Sequence, residues 1–552
     1  MTMFLARTCA LRLALLPGVL LVVPAACGAQ TAGELAGTRA RGDGMDVARG
    51  VASAPHMDAA TAAATARRES ATPTAARLHG AATDAQAAAR ATALLQQFAT
   101  GSDGATVPLH GLRLIDARAA MGGVIYRFAL ANGLQLVLLP DDKARLVAFH
   151  TWVRVGSAHE EAGKTGLAHL LEHLMFKASA RFPAGAFDRV LERMGASPNA
   201  ATWLDWTMYH ETIVSDALAT VAAMEADRLC FLKLNDAALR SELDVVRSER
   251  REVVDTDPEG KLEEAFSAAL WGKGIGYGHP TVGRGPDLRK LALPDVLGFY
   301  RKWYRPGRVA VVLVGAVDLV RDLPILARIY GPLPAQGEVT ADAPGAAVDV
   351  APFEVQARPL EVKLDAGADR LLVGWRAMPG DHVDHPVLTL LAELLANADV
   401  ARLGRALIED GRLAVDVDLD APSLGRGGAL ELRVRLRPGI AAETALARID
   451  AEIAALAGDR PLTEAELAGA RNRLRAARLA QMVTVDGRAE AIGHDFAAFE
   501  EPSLSEAWWR RVETATLADV RRVAIEVLRV DRRAVVIGRA ARGGAAAGVE
   551  RR

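Results

Sequence analysis

Cysteine is scarce: the 552 residues hold three, and Cys9 and Cys27 both fall within the first 29 positions. That leaves Cys230, and one thiol excludes an internal disulfide from the rest of the chain. A dominant charge is missing as well. With 66 basic and 68 acidic residues the formal net charge is −2, so bulk charge points neither to nucleic acid nor to an anionic membrane surface. The 24% of charged residues read as ordinary solvated faces. Near the N-terminus the apolar run Leu13 to Val23 is too short for a comfortable transmembrane helix. What is plentiful is apolar surface, 51% of the residues, far above a disordered composition, and the length calls for two or more domains.

Arg7 and Arg12 precede that apolar run, and small residues follow it, which is the layout of a secretory signal over residues 1–29. Export to the periplasm of a Gram-negative bacterium is the expectation. Ala25-Ala26-Cys27 resembles the end of a bacterial lipoprotein box, with Pro24 where an aliphatic residue is usual, so cleavage near Ala29 and lipid anchoring at Cys27 both stay open. Residues 30–122 are rich in Ala, Thr, Arg, Gly and Asp with few aromatics, and read as a low-complexity leader with too little large apolar surface to offset chain entropy. Within it, Asp84 to Phe98 favours a helix. Tyr126 to Leu130 and Leu134 to Leu139 read as strands joined across Asn132-Gly133, a strong hairpin signal. Leu146 to Val155 is a further strand, and Asn199 to Thr202 and Thr207 to Thr212 form a strand pair.

The chemistry concentrates in Gly166-Leu167-Ala168-His169-Leu170-Leu171-Glu172-His173-Leu174-Met175-Phe176. Residues four apart share a helix face, so His169 and His173 can offer two imidazoles to one ion while Glu172 projects beside them. His-x-x-Glu-His is the inverted zincin order, two metal ligands and a general base. A third ligand is required. Leu239 to Glu249 reads as a helix with Leu239, Leu243 and Val246 on its apolar side, and Glu242 and Glu249, two turns apart, share another face. His279, in a loop before Pro280, reads as an exposed residue with no part in the site.

The segment Gly156 to Ser179, with Glu242-x-x-x-Val246-x-x-Glu249 downstream, resembles the M16 (pitrilysin-like, inverzincin) metallopeptidases in their short bacterial processing-peptidase-like form. The resemblance implies one Zn²⁺ per chain on His169, His173 and Glu249, Glu172 as general base, and Glu242 as a supporting carboxylate of the catalytic site. It also implies that Asn199 and Ala200 lie on an edge strand that adds substrate peptide as a further strand.

Leu293-Pro294-Asp295-Val296 with Ala310 to Gly315 recurs 223 to 224 residues later as Leu517-Ala518-Asp519-Val520 with Ala534 to Gly538, the mark of a duplicated α/β unit. The expected architecture is therefore α+β. Two homologous α/β sandwich halves follow the signal and leader: a zinc-bearing half at 123–335, a linker at 336–351, and a second half at 352–545 without the metal motif. Pitrilysin-like enzymes are built in this way. In active members the second half usually carries an Arg and a Tyr, seven apart, that reach the substrate; the matching positions here are Ile408 and Val415, neither of which donates a hydrogen bond, with Arg405 one turn away as a substitute for the arginine and nothing nearby for the tyrosine. The resemblance thus leads to a zinc endopeptidase subunit acting on unfolded peptides, whose partner, a second M16-like chain, supplies that pair. A homodimer and a non-catalytic scaffold or peptide-binding subunit are the other expectations.

Overall fold

Residues 77–100, 109–196, 198–272, 276–335, 358–398 and 400–541 are described by the computed structural model. The expected signal at 1–29, Cys27, the leader up to residue 76 and the linker at 336–351 lie outside the described residues. The leader does not extend to residue 122 as the composition led us to expect. Helix α1 (Ala85–Thr100) opens with the Asp84 carboxylate accepting the Ala87 N–H at 2.9 Å, and it packs on strand β1 (Arg113–Ala120). Strand β1 escapes an apolar-periodicity reading because its charges are neutralised in place: Asp116 pairs with Arg118 and Arg127.

The first half continues through β2 (Gly123–Ala129), β3 (Gln135–Pro140), β4 (Leu146–Val153), α2 (Leu167–Leu174), β5 (Asn199–Thr202) and β6 (Thr207–Val214). Then come α3 (Asp236–Arg250), α4 (Pro258–Trp271), α5 (Leu293–Trp303) and β7 (Val309–Gly315). The seven strands are ordered β1-β2-β3-β7-β4-β6-β5. The second half runs through β8 (Leu360–Leu364), β9 (Arg370–Ala377), α6 (His385–Leu395), β10 (Ala414–Asp420), β11 (Gly428–Leu436), α7 (Glu464–Met482), α8 (Val485–Phe499), α9 (Leu517–Val527) and β12 (Arg533–Ala540). Its sheet order is β10-β11-β9-β12-β8.

The two orders are one topology. Reading β3-β7-β4-β6-β5 against β8-β12-β9-β11-β10, the first pair is parallel and the other three antiparallel in both sheets. One face of the first sheet packs Phe149, Leu136 and Leu313 against α2 and its neighbours. Its other face, with Ala148, Trp152 and Val312, is covered by Ala489, Ile492 and Phe496 of α8, a helix of the second half. Reciprocally, Leu262, Phe266 and Leu270 of α4 cover Leu372, Ala534 and Val536 of the second sheet. Each half lends a helix to the other. Gly493 permits the first of these contacts, since a Cβ there would stand 1.9 Å from Trp152 Nε1.

Candidate metal centre

Helix α2 begins abruptly. Gly166, at φ 93°, turns the chain in the left-handed region, and a Cβ there would meet Leu288 Cδ2 at 2.7 Å. The first free N–H groups of the helix are taken by the buried Glu160, whose carboxylate accepts from Gly166 at 2.7 Å and Ala168 at 2.8 Å. Burial pushes the Glu160 carboxyl well above the ordinary carboxylate range, against the pull of those two N–H groups. Behind it sits His279, 3.8 Å from Glu160 through Nε2. This corrects the expectation of an exposed loop histidine: His279 is 1% exposed, enclosed by packing at the root of the metal helix, and burial lowers its pKa. Neither residue announces itself by periodicity.

Leu167, Leu170, Leu171 and Leu174 bury one side of α2 and leave His169 and His173 together on another, ring centroids 4.7 Å apart. Helix α3, capped by the Asn235 side chain and anchored through Leu239, Leu243 and Val246, brings Glu249 against both histidines. Its Oε1 lies 3.6 Å from His169 Nε2, and its Oε2 lies 3.6 Å from His173 Nε2. Glu242 faces the other nitrogen, 3.6 Å from His173 Nδ1, and binds Lys177 Nζ at 2.6 Å. One donor atom from each of His169, His173 and Glu249 falls within 4.8 Å of the others.

Those residues fit a zinc ion. Bonds of 2.0–2.1 Å in tetrahedral array place neighbouring donors about 3.3 Å apart, close to the contacts seen. Burial lowers the pKa of His169, favouring the neutral imidazole that a metal requires. Burial also opposes charge on His173, but the Glu242 and Glu249 carboxylates outweigh it and hold that ring proton up to about 9. The apparent conflict between the two rings has one origin: three carboxylates surround the pair and call for a cation, which a proton on His173 supplies when no ion is bound. Glu242 and Glu249, despite burial, are held below the ordinary range by His173, and Glu242 also by Lys177.

Glu172 is oriented from across the sheet edge, its Oε2 accepting the Thr202 hydroxyl at 2.5 Å. Thr202 stands two residues after Ala200 on β5, so strand alternation puts it on the same, metal-side face. Strand β5 is the sheet's edge, so its outer backbone groups face no further strand among the described residues. Ala200 turns to the metal side, in the core containing α2, whereas Asn199 stands opposite His210 on the other face. Ile408 packs on the second-half core, and Val415 is exposed on the edge strand β10. The Cys230 thiol is buried and pushed up to about 12, which leaves it inert.

Comparison with known proteins agrees with this geometry. A family model described as insulinase (peptidase family M16) matches residues 136–278, and one described as peptidase M16 inactive domain matches 290–474. The zinc protease PqqE of Helicobacter pylori is 29% identical over 291 residues, 52% of this chain and 64% of that protein, so the chain spans a little under two thirds of that relative's length. An uncharacterized zinc protease of Mycobacterium leprae is 26% identical over 426 residues, 77% of this chain and 94% of that protein. The crystal structure of a protease from Helicobacter pylori superposes with a TM-score of 0.70 at 24% identity, over 76% of this chain and 99% of that one, a likeness of fold.

Proposed function

The chain belongs to peptidase family M16, and from that premise we propose that it is an exported zinc metalloendopeptidase subunit acting on unfolded peptides. The observation that carries the reading is the convergence of His169, His173 and Glu249 at 3.6 Å contacts with Glu172 beside them, on two helices seated in one apolar core. His169, His173 and Glu249 would hold the ion, one per chain. Zn²⁺ bound there supplies Lewis acidity, lowering the pKa of a water toward about 7 and polarising the scissile carbonyl.

The remaining steps fall to the chain's own groups. Glu172, aimed by Thr202, takes a proton from the attacking water and returns it to the leaving amine. Glu242 and Lys177 hold His173 in its ligand orientation from the far nitrogen. The outer edge of β5 takes up an extended peptide by main-chain pairing, with Ala200 on the metal side. An extended strand suits this edge, which favours unfolded substrates.

Ile408 and Val415 leave the second half without hydrogen-bond donors where the family's arginine and tyrosine stand. A second M16-like subunit supplying that pair completes the site in this reading, with a homodimer as the variant in which the chain pairs with itself. The same two residues favour one other reading, a non-catalytic scaffold or peptide-binding subunit. Chelator-sensitive cleavage of an unstructured peptide separates the two, measured on the purified chain and on the complex it co-purifies with. Cleavage by the complex and little by the chain alone is expected; a zinc-loaded complex that cleaves nothing supports the scaffold. Fractionation of the source cells tests export.

A further inference from the structure

On the face of the first sheet turned away from α2, two more histidines stand side by side. His150 on β4 and His210 on β6 are directly opposite in the antiparallel register, which places them on one face with adjacent side chains. Their rings lie 5.3 Å apart. Onto them comes Asp486 from the first turn of α8, the helix lent by the second half. Its Oδ1 is 2.9 Å from His150 Nε2 and 3.7 Å from His210 Nδ1. One donor atom from each of the three lies within 4.8 Å of the others, the same bound that the catalytic trio meets. His150 is 1% exposed.

We propose that His150, His210 and Asp486 form a second divalent-metal site, of the zinc class, that joins the two halves of the chain. Two imidazole nitrogens and a carboxylate oxygen are a borderline donor set that suits Zn²⁺ and its first-row neighbours. Charge leads to the same conclusion. Glu490, one helical turn beyond Asp486, interacts electrostatically with Asp486, His494 and His210, so a second carboxylate lies near this face among histidines. Among the described residues no lysine or arginine pairs with either; Arg488, between them, is engaged by Asp141.

The second half shows what a chain-borne cation does at this place. Val312 of β7 and Val536 of β12 are equivalent, 224 residues apart, and their neighbours in the two sheets are His150 then His210, and Leu372 then Arg433. Arg433 binds Glu263 at 2.6 Å, and Glu263 belongs to α4, the helix lent in the other direction. An Arg–Glu bridge closes one exchanged-helix contact; two histidines and a carboxylate stand at the other, where an ion takes the place of the guanidinium.

The site goes beyond the hydrolytic reading and is tested without measuring activity. The full-length chain is stripped with chelator, equilibrated with Zn²⁺, and its ions counted by mass spectrometry. Two per chain are expected in the wild type, one in H169A/H173A, and none when D486N is added to that pair; zinc should also raise the melting temperature of H169A/H173A. If D486N does not fold, His210→Gln is read in its place. The proposal is overturned if H169A/H173A binds no zinc and does not shift in melting, or if its ion persists in both D486N and His210→Gln. Failure of the hydrolytic reading would show instead as an intact ion count without cleavage.

Discussion

The two halves share strand order, helix order and even the exchange of a helix, yet they hold equivalent helix pairs together with different charges. In the second half, Glu393 on α6 meets Arg473 on α7, Nε to Oε2 at 2.9 Å, and the ion pair is complete within the chain. In the first, the equivalent helices α2 and α3 bring together two histidines and two glutamates, with Lys177 at the margin. One half satisfies its buried acid with an arginine; the other sets its acids against two imidazoles. Duplication thus preserved the frame, and the chemistry differs by a few side chains on two helices.

The sharpest way to test this contrast is to disable the chemistry without the frame. Glu172→Gln should retain zinc and the melting temperature while peptide cleavage by the complex falls by about 10² to 10⁴, the usual weight of a general base. Loss of zinc in that variant, read by metal analysis, would reverse the assignment of ligand and base. Next in size is the second-half bridge. Arg473→Met strands the buried Glu393 carboxylate and should cost roughly 1–3 kcal/mol in chemical denaturation, and adding Glu393→Met should recover most of it. Cleavage should follow stability alone in both variants.

A smaller effect is expected at the exchanged helix. Gly493→Ala adds helix propensity, but at this buried position the new methyl collides with Trp152, so a net loss of about 1 kcal/mol is expected in urea titration. A net gain would mean that α8 does not seat closely on β4. Least of all is the Arg402–Glu466 bridge, which ties the short helix before Ile408 to α7. Arg402 leads the effects that hold the Glu466 carboxyl down to about 2, so the bridge stabilises the fold above the unfolded-state value near 4.5 and its contribution is lost as pH falls from there toward 2. Partial exposure limits it to a few tenths of a kcal/mol, and Glu466→Gln should flatten the melting temperature against pH in that window alone.

What the sequence showed was whatever is local along the chain. His169, Glu172 and His173 fall on one short helix at helical spacing, the β2–β3 hairpin turns on Asn132-Gly133, and Glu242 and Glu249 are two turns apart, so period and spacing suffice. Pairing Glu249 with the two histidines needed the family resemblance, because nothing in periodicity joins α3 to α2. Strand β1 was hidden by its ion pairs. Glu160, His279 and Thr202 act through contacts made only after folding. His150 and His210, sixty residues apart on strands read as plain β structure, meet through a register no hydrophobic pattern encodes.

The exchange of α4 and α8 bears on how the molecule melts. A sheet that has lost its borrowed helix shows water a face containing Trp152 and Val312, or Leu372 and Val536, so neither half can open without stripping the other. Heat should therefore dismantle both in a single calorimetric transition despite their separate cores. Fragments severed within residues 336–351 should be sticky apart and regain solubility when mixed.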